Sequence, residues 1–182
     1  MKVSEINKAE GEQIHGFARN VVSGLISGKD EFRIPDSPVF TRRNGVALRF
    51  LEAGRERNRV AQLESGKPLG PELKRLAIRG AFDDPRRQSI TEDQWNRCEL
   101  EISFLGDSRD VQSFEEIEPG RDGVIIEQNG QSAWCLPGDP VEAGWTREEC
   151  LTRLCLDAGL EPDAWTRPDC RIRVFQSTVI RP

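Results

Sequence analysis

The first apolar stripe of the chain has the spacing of a helix. Its positions recur at steps of three and four residues, so they fall on one helical face. Asn7 precedes the stripe as a predicted N-cap, and Gly28 follows it as a predicted helix end. His15 lies beside the stripe rather than on it, and we expect this side chain to face solvent. The apolar positions are Ile14, Phe17, Ala18, Val21, Val22, Leu25 and Ile26.

Two later segments repeat the helical period. Pro71 opens a predicted short helix that ends at Asp83. Thr146 and Glu149 have the spacing of a capping box, in which each side chain accepts a hydrogen bond from the other residue's backbone N–H. Gly159 ends the helix that this box begins.

Alternating apolar positions predict a hairpin in the first third of the chain. Residues 39–43 and 46–50 flank the pair Asn44-Gly45. Asparagine and glycine adopt the positive φ angles of a two-residue hairpin turn more readily than other residues do. The stretch at about 52–70 has weak periodicity and several glycines, so we expect a long exposed connection there.

The second half of the chain predicts further strands. Residues 98–104 alternate apolar with acidic or polar side chains, as in a strand with one buried face. A second hairpin turns at Asn129-Gly130, and one strand over about 170–179 closes the chain. Hairpins dominate and are mixed with helices, which favours an α+β fold, mainly an antiparallel sheet with flanking helices.

Length and charge restrict the class of protein. A chain of 182 residues is predicted to be a single domain spanning 1–182. The net charge of −5 argues against non-specific binding to nucleic acid or to an anionic membrane. No long apolar run opens the sequence, so we expect a cytoplasmic protein without a membrane span.

The cysteine spacing is wrong for a metal site. No two cysteines form a Cys-x-x-Cys pair, and His15 is the only histidine, so we expect neither a bound metal nor another cofactor. Cys98, Cys150 and Cys155 lie on apolar faces and are expected to be buried, reduced thiols. Cys135, at a predicted strand end, is the exception.

Several segments occur in an order and spacing that resemble the AMMECR family, also called the A protein of the AmmeMemoRadiSam system. The similarity covers roughly residues 7–180, and its segments together are more specific than any one alone. They are Ala81-Phe82-Asp83-Asp84-Pro85-Arg86, Glu99-Leu100-Glu101-Ile102-Ser103, Gly120-Arg121-Asp122-Gly123-Val124-Ile125, Leu136-Pro137, Pro140-Val141-Glu142, Gly144-Trp145, Leu154-Cys155-Leu156, Ala158-Gly159-Leu160 and Pro162-Asp163-Ala164-Trp165.

The resemblance implies an α+β fold of two unequal lobes with a cleft between them. It also implies two gene neighbours, a Memo-type protein built like the class III extradiol dioxygenases and a radical S-adenosylmethionine enzyme. The best-known motif of the family, Leu-Arg-Gly-Cys-Ile-Gly, follows a β-turn. Placed after the Asn44-Gly45 turn, it corresponds to residues 48–53, where both glycines and the cysteine are absent. Cysteine chemistry at that place is therefore not transferable to this chain.

Five side chains are candidates for ligand binding. Arg49 keeps the arginine of the motif, although an arginine-rich solvated loop is an alternative. Glu99 and Glu101 point to one face of a predicted strand, where they form either an acid–base or ligand-binding pair or an exposed acidic surface. Glu142 and Trp145 lie in a rigid predicted loop, although the tryptophan is equally consistent with a core anchor. In the two-lobed arrangement we expect Arg49 and Glu142 to come together.

Two functions are consistent with these residues. The first is an accessory or binding protein that holds a small molecule or a peptide segment for a partner enzyme, of the Memo or radical S-adenosylmethionine type. The alternative is an enzyme of a specialised biosynthetic pathway that uses Arg49 and carboxylates such as Glu142.

Overall fold

In the computed structural model, which describes residues 6–64, 66–83 and 88–181, the chain has an α+β fold with two mainly antiparallel sheets. The helices of this part are α1 (Lys8–Ile26), α2 (Leu69–Phe82), α3 (Glu92–Asn96), α4 (Asp139–Ala143) and α5 (Arg147–Asp157). The strands are β1 (Gly45–Glu52), β2 (Arg55–Gln62), β3 (Cys98–Leu105), β4 (Arg109–Asp110), β5 (Gly123–Gln128), β6 (Gln131–Cys135), β7 (Arg171–Phe175) and β8 (Ser177–Ile180).

The described residues form two compact units. The larger unit comprises residues 6–105 and 178–181 and contains a sheet with the strand order β2-β1-β3-β8. The smaller unit comprises residues 106–177 and contains a sheet with the order β4-β7-β5-β6. Within the described ranges, no helix combines the length and the apolar character needed to cross a bilayer.

Helix α1 confirms its predicted boundaries. The Asn7 side chain accepts from the backbone N–H of Glu10, whose carboxylate accepts from the N–H of Asn7. Gly28 follows the helix with a φ of +79°. His15, however, is buried, so the expectation of a solvated histidine is wrong. Helix α1 packs beside β3, and His15 Nε2 lies 3.0 Å from the backbone oxygen of Leu100, to which the Nε2–H donates.

His15, the only histidine of the chain, should make the stability of the fold depend on pH. Burial, aided by the charge of Arg19, outweighs the bond to Leu100 and lowers the pKa of His15 below 6.5. The unfolded chain therefore binds the proton more tightly, and stability should fall as pH drops below about 6.5. Urea unfolding between about pH 7 and pH 5 should show this loss in the wild type and a smaller one in His15→Leu. Equal pH slopes for the two proteins would contradict the assignment.

The first hairpin is displaced by about nine residues from its predicted place. Residues 38–41 form a 3₁₀ turn, and β1 pairs with β2 through a turn at Ala53-Gly54, where φ is +51° and +72°. The predicted turn at Asn44-Gly45 is therefore wrong. Gly45 begins β1 instead, and a Cβ there would lie 2.1 Å from the Leu63 backbone oxygen. A close backbone neighbour, rather than a turn, explains this glycine.

The positive φ angle of Ala53, in the turn between β1 and β2, should cost the fold stability. A residue with a Cβ is strained at positive φ, and glycine is not. Ala53→Gly should therefore raise the free energy of unfolding by up to about 1 kcal/mol, because relief of strain exceeds the added entropy of the unfolded chain. Chemical denaturation measures the change. The matched substitution Ala61→Gly, on β2, should destabilise, and stabilisation by both or by neither would argue against strain at Ala53.

Strand β2 also corrects the expected connection at about 52–70. Residues 55–62 are an edge strand, in which Asn58 and Val60 are buried on the side that faces α2. Asn58 Nδ2 donates to the backbone oxygen of Gly80 at 2.8 Å. A buried asparagine in an arginine-rich sequence breaks the apolar alternation, which is why the strand was not predicted.

The smaller unit confirms the second hairpin and corrects two other predictions. Asn129-Gly130 form the turn between β5 and β6, with φ of +52° and +78°. The closing strand is two strands, because β7 belongs to the sheet of the smaller unit and β8 to that of the larger unit. The rigid loop that carries Glu142 is in fact the short helix α4, ended by Gly144 at a φ of +69°. The capping box of Thr146 and Glu149 is confirmed at the start of α5.

Candidate functional site

Charged side chains meet on the face of the larger sheet opposite α2. Arg49, on the central strand β1, lies directly opposite Glu101 of β3 and Arg59 of β2. Arg49 Nη1 donates to Glu101 Oε1 at 3.0 Å, and both side chains are buried. The strand register thus places an ion pair between β1 and β3 and two like charges between β1 and β2.

Glu56 compensates the like charges. Its Oε2 accepts from Arg49 Nε at 3.0 Å and from Arg59 Nη2 at 2.6 Å. Directly opposed like charges on antiparallel strands are destabilising, and a carboxylate shared between them offsets the repulsion. The β-bulge after Phe50 shifts the register, so that Glu56 lies opposite Leu51.

Arg181 completes the cluster from the end of β8. Its Nε donates to Glu101 Oε2 at 2.8 Å, so the two oxygens of Glu101 are held by two different arginines. The Glu101 side chain is only 8% exposed, whereas that of Arg181 is 69% exposed. We call Arg49, Glu56, Arg59, Glu101 and Arg181 the Arg–Glu network. It connects a buried carboxylate to a guanidinium that faces solvent.

The structure places the five predicted residues differently. Arg49 and Glu101 form an ion pair, and Glu99 lies two positions away on β3 but is exposed. Of the two alternatives for this face of β3, an exposed acidic surface therefore fits Glu99 but not Glu101, which is buried. Glu142 and Trp145 are both exposed and belong to the smaller unit, the tryptophan just after α4. The expected proximity of Arg49 and Glu142 stays a prediction.

Sequence reasoning missed Glu56 and Arg181. Glu56 was assigned to a loop because β2 was not recognised, and Arg181 lies 80 residues from the carboxylate that it contacts. A strand assignment for residues 55–62 would have placed Glu56 near Arg49, since a turn at Ala53-Gly54 pairs the two strands. No local signal indicates the position of Arg181.

The corrected hairpin also moves the place of the family motif. That motif follows a β-turn, and the turn of this chain lies at Ala53-Gly54, so its place is on β2 rather than at residues 48–53. Neither β1 nor β2 contains a cysteine, so the loss of the motif cysteine is unaffected. The family motif therefore no longer supports a binding role for Arg49, and that role depends on the contacts described above.

The thiols have the burial expected of structural cysteines. Cys98, Cys150 and Cys155 are buried, as predicted, and Cys135 is buried as well, with its Sγ 3.6 Å from that of Cys150. Burial raises the pKa of Cys98 and Cys155. The contact with Cys150, followed by burial, raises the pKa of Cys135 well above its usual range. These three thiols are protonated near neutral pH and are poor nucleophiles. Among the described residues, no three side chains of His, Cys, Asp or Glu are grouped as a metal would require.

Comparison with known proteins gives a consistent result. The family model AMMECR1 matches residues 16–180. A protein of Methanothermobacter thermautotrophicus is 30% identical over 98% of this chain and 97% of its own length. A protein of Methanopyrus kandleri is 33% identical over 93% of this chain and 87% of its own. The crystal structure of a Pyrococcus horikoshii protein superimposes with a TM-score of 0.90 at 27% identity, covering 96% of this chain and 92% of that one. The chain therefore belongs to the AMMECR1 family.

Proposed function

We propose that this chain is a cytoplasmic accessory protein that binds a small molecule or a peptide for a partner enzyme. The partner in this proposal is a Memo-type protein or a radical S-adenosylmethionine enzyme, the two gene neighbours that the family resemblance implies. The ligand contacts the Arg–Glu network through an anionic group, a carboxylate or a phosphate. Glu99, Glu142 and Trp145 belong to the proposal as exposed contacts for the ligand or the partner.

The observation that carries the proposal is the unequal exposure of the two arginines on Glu101. Arg49 is fixed at the buried side, where Glu101 and Glu56 hold its guanidinium. Arg181 contacts the same carboxylate through Nε, and most of its side chain faces solvent. A guanidinium whose direction is set by a buried carboxylate is preorganised for a second anion, because little side-chain entropy remains to be lost on binding.

The enzyme alternative is less well supported by this geometry. A general base needs a carboxylate oxygen that can accept a proton from substrate. In Glu101 both oxygens already accept hydrogen bonds from arginines, so both are engaged within the protein rather than presented to a substrate. The Arg–Glu network is thus better suited to binding than to proton transfer.

Direct binding of purified proteins tests the proposal. The chain is immobilised, and the Memo-type and radical S-adenosylmethionine proteins of the same genome are titrated over it by interferometry. We expect at least one of them to bind with a Kd on the order of micromolar, and the affinity to fall with added salt because an exposed arginine contributes. Failure of both proteins to bind at about 100 µM would overturn the accessory role.

A further inference from the structure

The smaller unit contains a cavity that is lined by no residue of the Arg–Glu network. Its volume is about 460 Å³, compared with about 680 Å³ for the groove along α1, and it lies between the segment after β4 and the segment before β7. Ligand-binding pockets generally measure roughly 300–1,000 Å³, so this cavity is large enough for a small organic molecule. Its lining includes Val111, Phe114, Trp165, Arg167, Cys170 and Ile172.

Half-buried apolar side chains line part of the cavity, beside the polar Gln112, Ser113 and Thr166. Phe114 and Trp165 meet edge to face, with ring centroids 5.0 Å apart and planes at 70°. Trp165 Nε1 donates to Thr152 Oγ1 of α5 at 3.3 Å, which fixes the indole on its polar edge. A tryptophan held at one edge presents the rest of its ring as a rigid apolar surface, and such surfaces bind flat ring systems well.

Cys170 contributes an uncharged group to the same walls. It is half-buried, and burial raises the pKa of its thiol to about 11. The thiol is therefore protonated near neutral pH, so it behaves as a small apolar side chain and not as a nucleophile. This cavity accordingly favours non-covalent binding.

One cation lies at the rim. Arg167 Nη2 donates to Asp163 Oδ1 at 3.0 Å, in a pair whose side chains are 45% and 71% exposed. Exposed pairs of this kind contribute little stability, so the guanidinium can exchange Asp163 for an anionic group of a ligand at small cost. An apolar floor with an exchangeable arginine at its edge matches a ring system that carries an acid group.

We propose that this cavity is a binding site for an aromatic acid, a flat ring system that packs on Phe114 and Trp165 while its carboxylate or sulfonate contacts Arg167. The site belongs to the smaller unit, and its existence does not depend on the accessory role proposed above.

Protection of Cys170 from alkylation tests occupancy in the unmodified protein. The other four cysteines are buried, so prolonged treatment with excess iodoacetamide at about pH 9, where a small fraction of this thiol is ionised, reports on Cys170 when it is followed by peptide mass spectrometry. The probe is anilinonaphthalene sulfonate, an aromatic acid. At a concentration of about ten times its Kd, the probe should slow alkylation of Cys170 about tenfold, since about one site in ten is then empty. An unchanged rate at saturating probe would overturn the proposal.

Matched variants and a second probe identify the contacts. Trp165→Ala should weaken the binding of anilinonaphthalene sulfonate about tenfold. Leu156→Ala, which removes a 51% exposed apolar side chain outside the cavity, should leave it unchanged. Arg167→Ala should weaken the sulfonate probe about threefold to fivefold and leave the uncharged N-phenylnaphthylamine unaffected. Equal effects of Arg167→Ala on both probes would show that Arg167 does not recognise an acid group, and the proposed ligand would then not need one. If Trp165→Ala does not fold, Trp165→Phe and the protection of Cys170 still decide the outcome.

Discussion

Replacing Glu101 with alanine should lower the free energy of unfolding by about 3 kcal/mol or more. The change leaves the buried guanidinium of Arg49 with one carboxylate partner fewer to balance its positive charge. Arg49 keeps Glu56 after this change, whereas its strand neighbour Arg59 continues to repel it. Urea unfolding at about neutral pH, monitored by tryptophan fluorescence, measures the loss.

A double-mutant cycle separates the ion pair from loss of packing. Arg49→Met and Glu101→Leu remove the two charges while preserving most of the apolar volume. The double change should cost less stability than the sum of the two single changes, with a coupling of about 1 kcal/mol or more. Lys8→Met and Glu12→Leu, at an exposed pair on α1, are the matched control and should show little coupling. A coupling near zero at Arg49 and Glu101 would mean that the pair is not buried as described.

Gly80→Ala should lower the free energy of unfolding by about 1–3 kcal/mol, even though alanine is the better helix former. Gly80 lies in α2 where the helix meets the sheet, and a Cβ there would be 2.3 Å from Cε2 of the fully buried Phe50 ring. Either the ring or the helix must shift, and a shift of the helix lengthens the bond from Asn58 to the Gly80 oxygen. Thermal and urea unfolding of the variant measure the cost.

Two further variants make this prediction specific. Gly16→Ala, also within a helix but with open space around the new methyl group, should instead stabilise by up to about 1 kcal/mol. In a Phe50→Leu background the ring is absent, and Gly80→Ala should then cost less than in the wild type. An equal cost in both backgrounds would show that the Phe50 ring is not the obstacle.

The sequence predicted the bounds of α1 and the start of α5 well because their signals are local. Asn7, Thr146 and Glu149 specify helix starts through contacts three residues away, and Gly28 ends α1 by its own φ angle. The turn at Asn129-Gly130 was found for the same reason. The Ala53-Gly54 turn was not, since alanine rarely adopts a positive φ and Asn44-Gly45 is the stronger local signal.

The candidate site was predicted only in part, because its burial depends on distant segments. His15 was predicted to face solvent, and an exposed surface was one alternative for Glu101, yet each is buried and bonded to a residue 80 or more positions away. Periodicity reports which face of an element a residue occupies and gives no information about what covers that face. The pairing of Arg49 with Glu101 follows from the register of β1 with β3, which no local signal in the sequence specifies.

The central claim is that the Arg–Glu network recognises a partner. The affinity of two arginine variants for whichever partner protein binds, the Memo-type or the radical S-adenosylmethionine protein, tests this claim most directly. Arg181→Ala should raise the Kd of that complex about tenfold, because Arg181 provides the proposed contact to an anionic group. Arg153→Ala removes an exposed arginine that is also paired with a carboxylate, on α5, and should leave the Kd unchanged. An affinity that is the same for Arg181→Ala, Arg153→Ala and the wild type would contradict recognition through the Arg–Glu network.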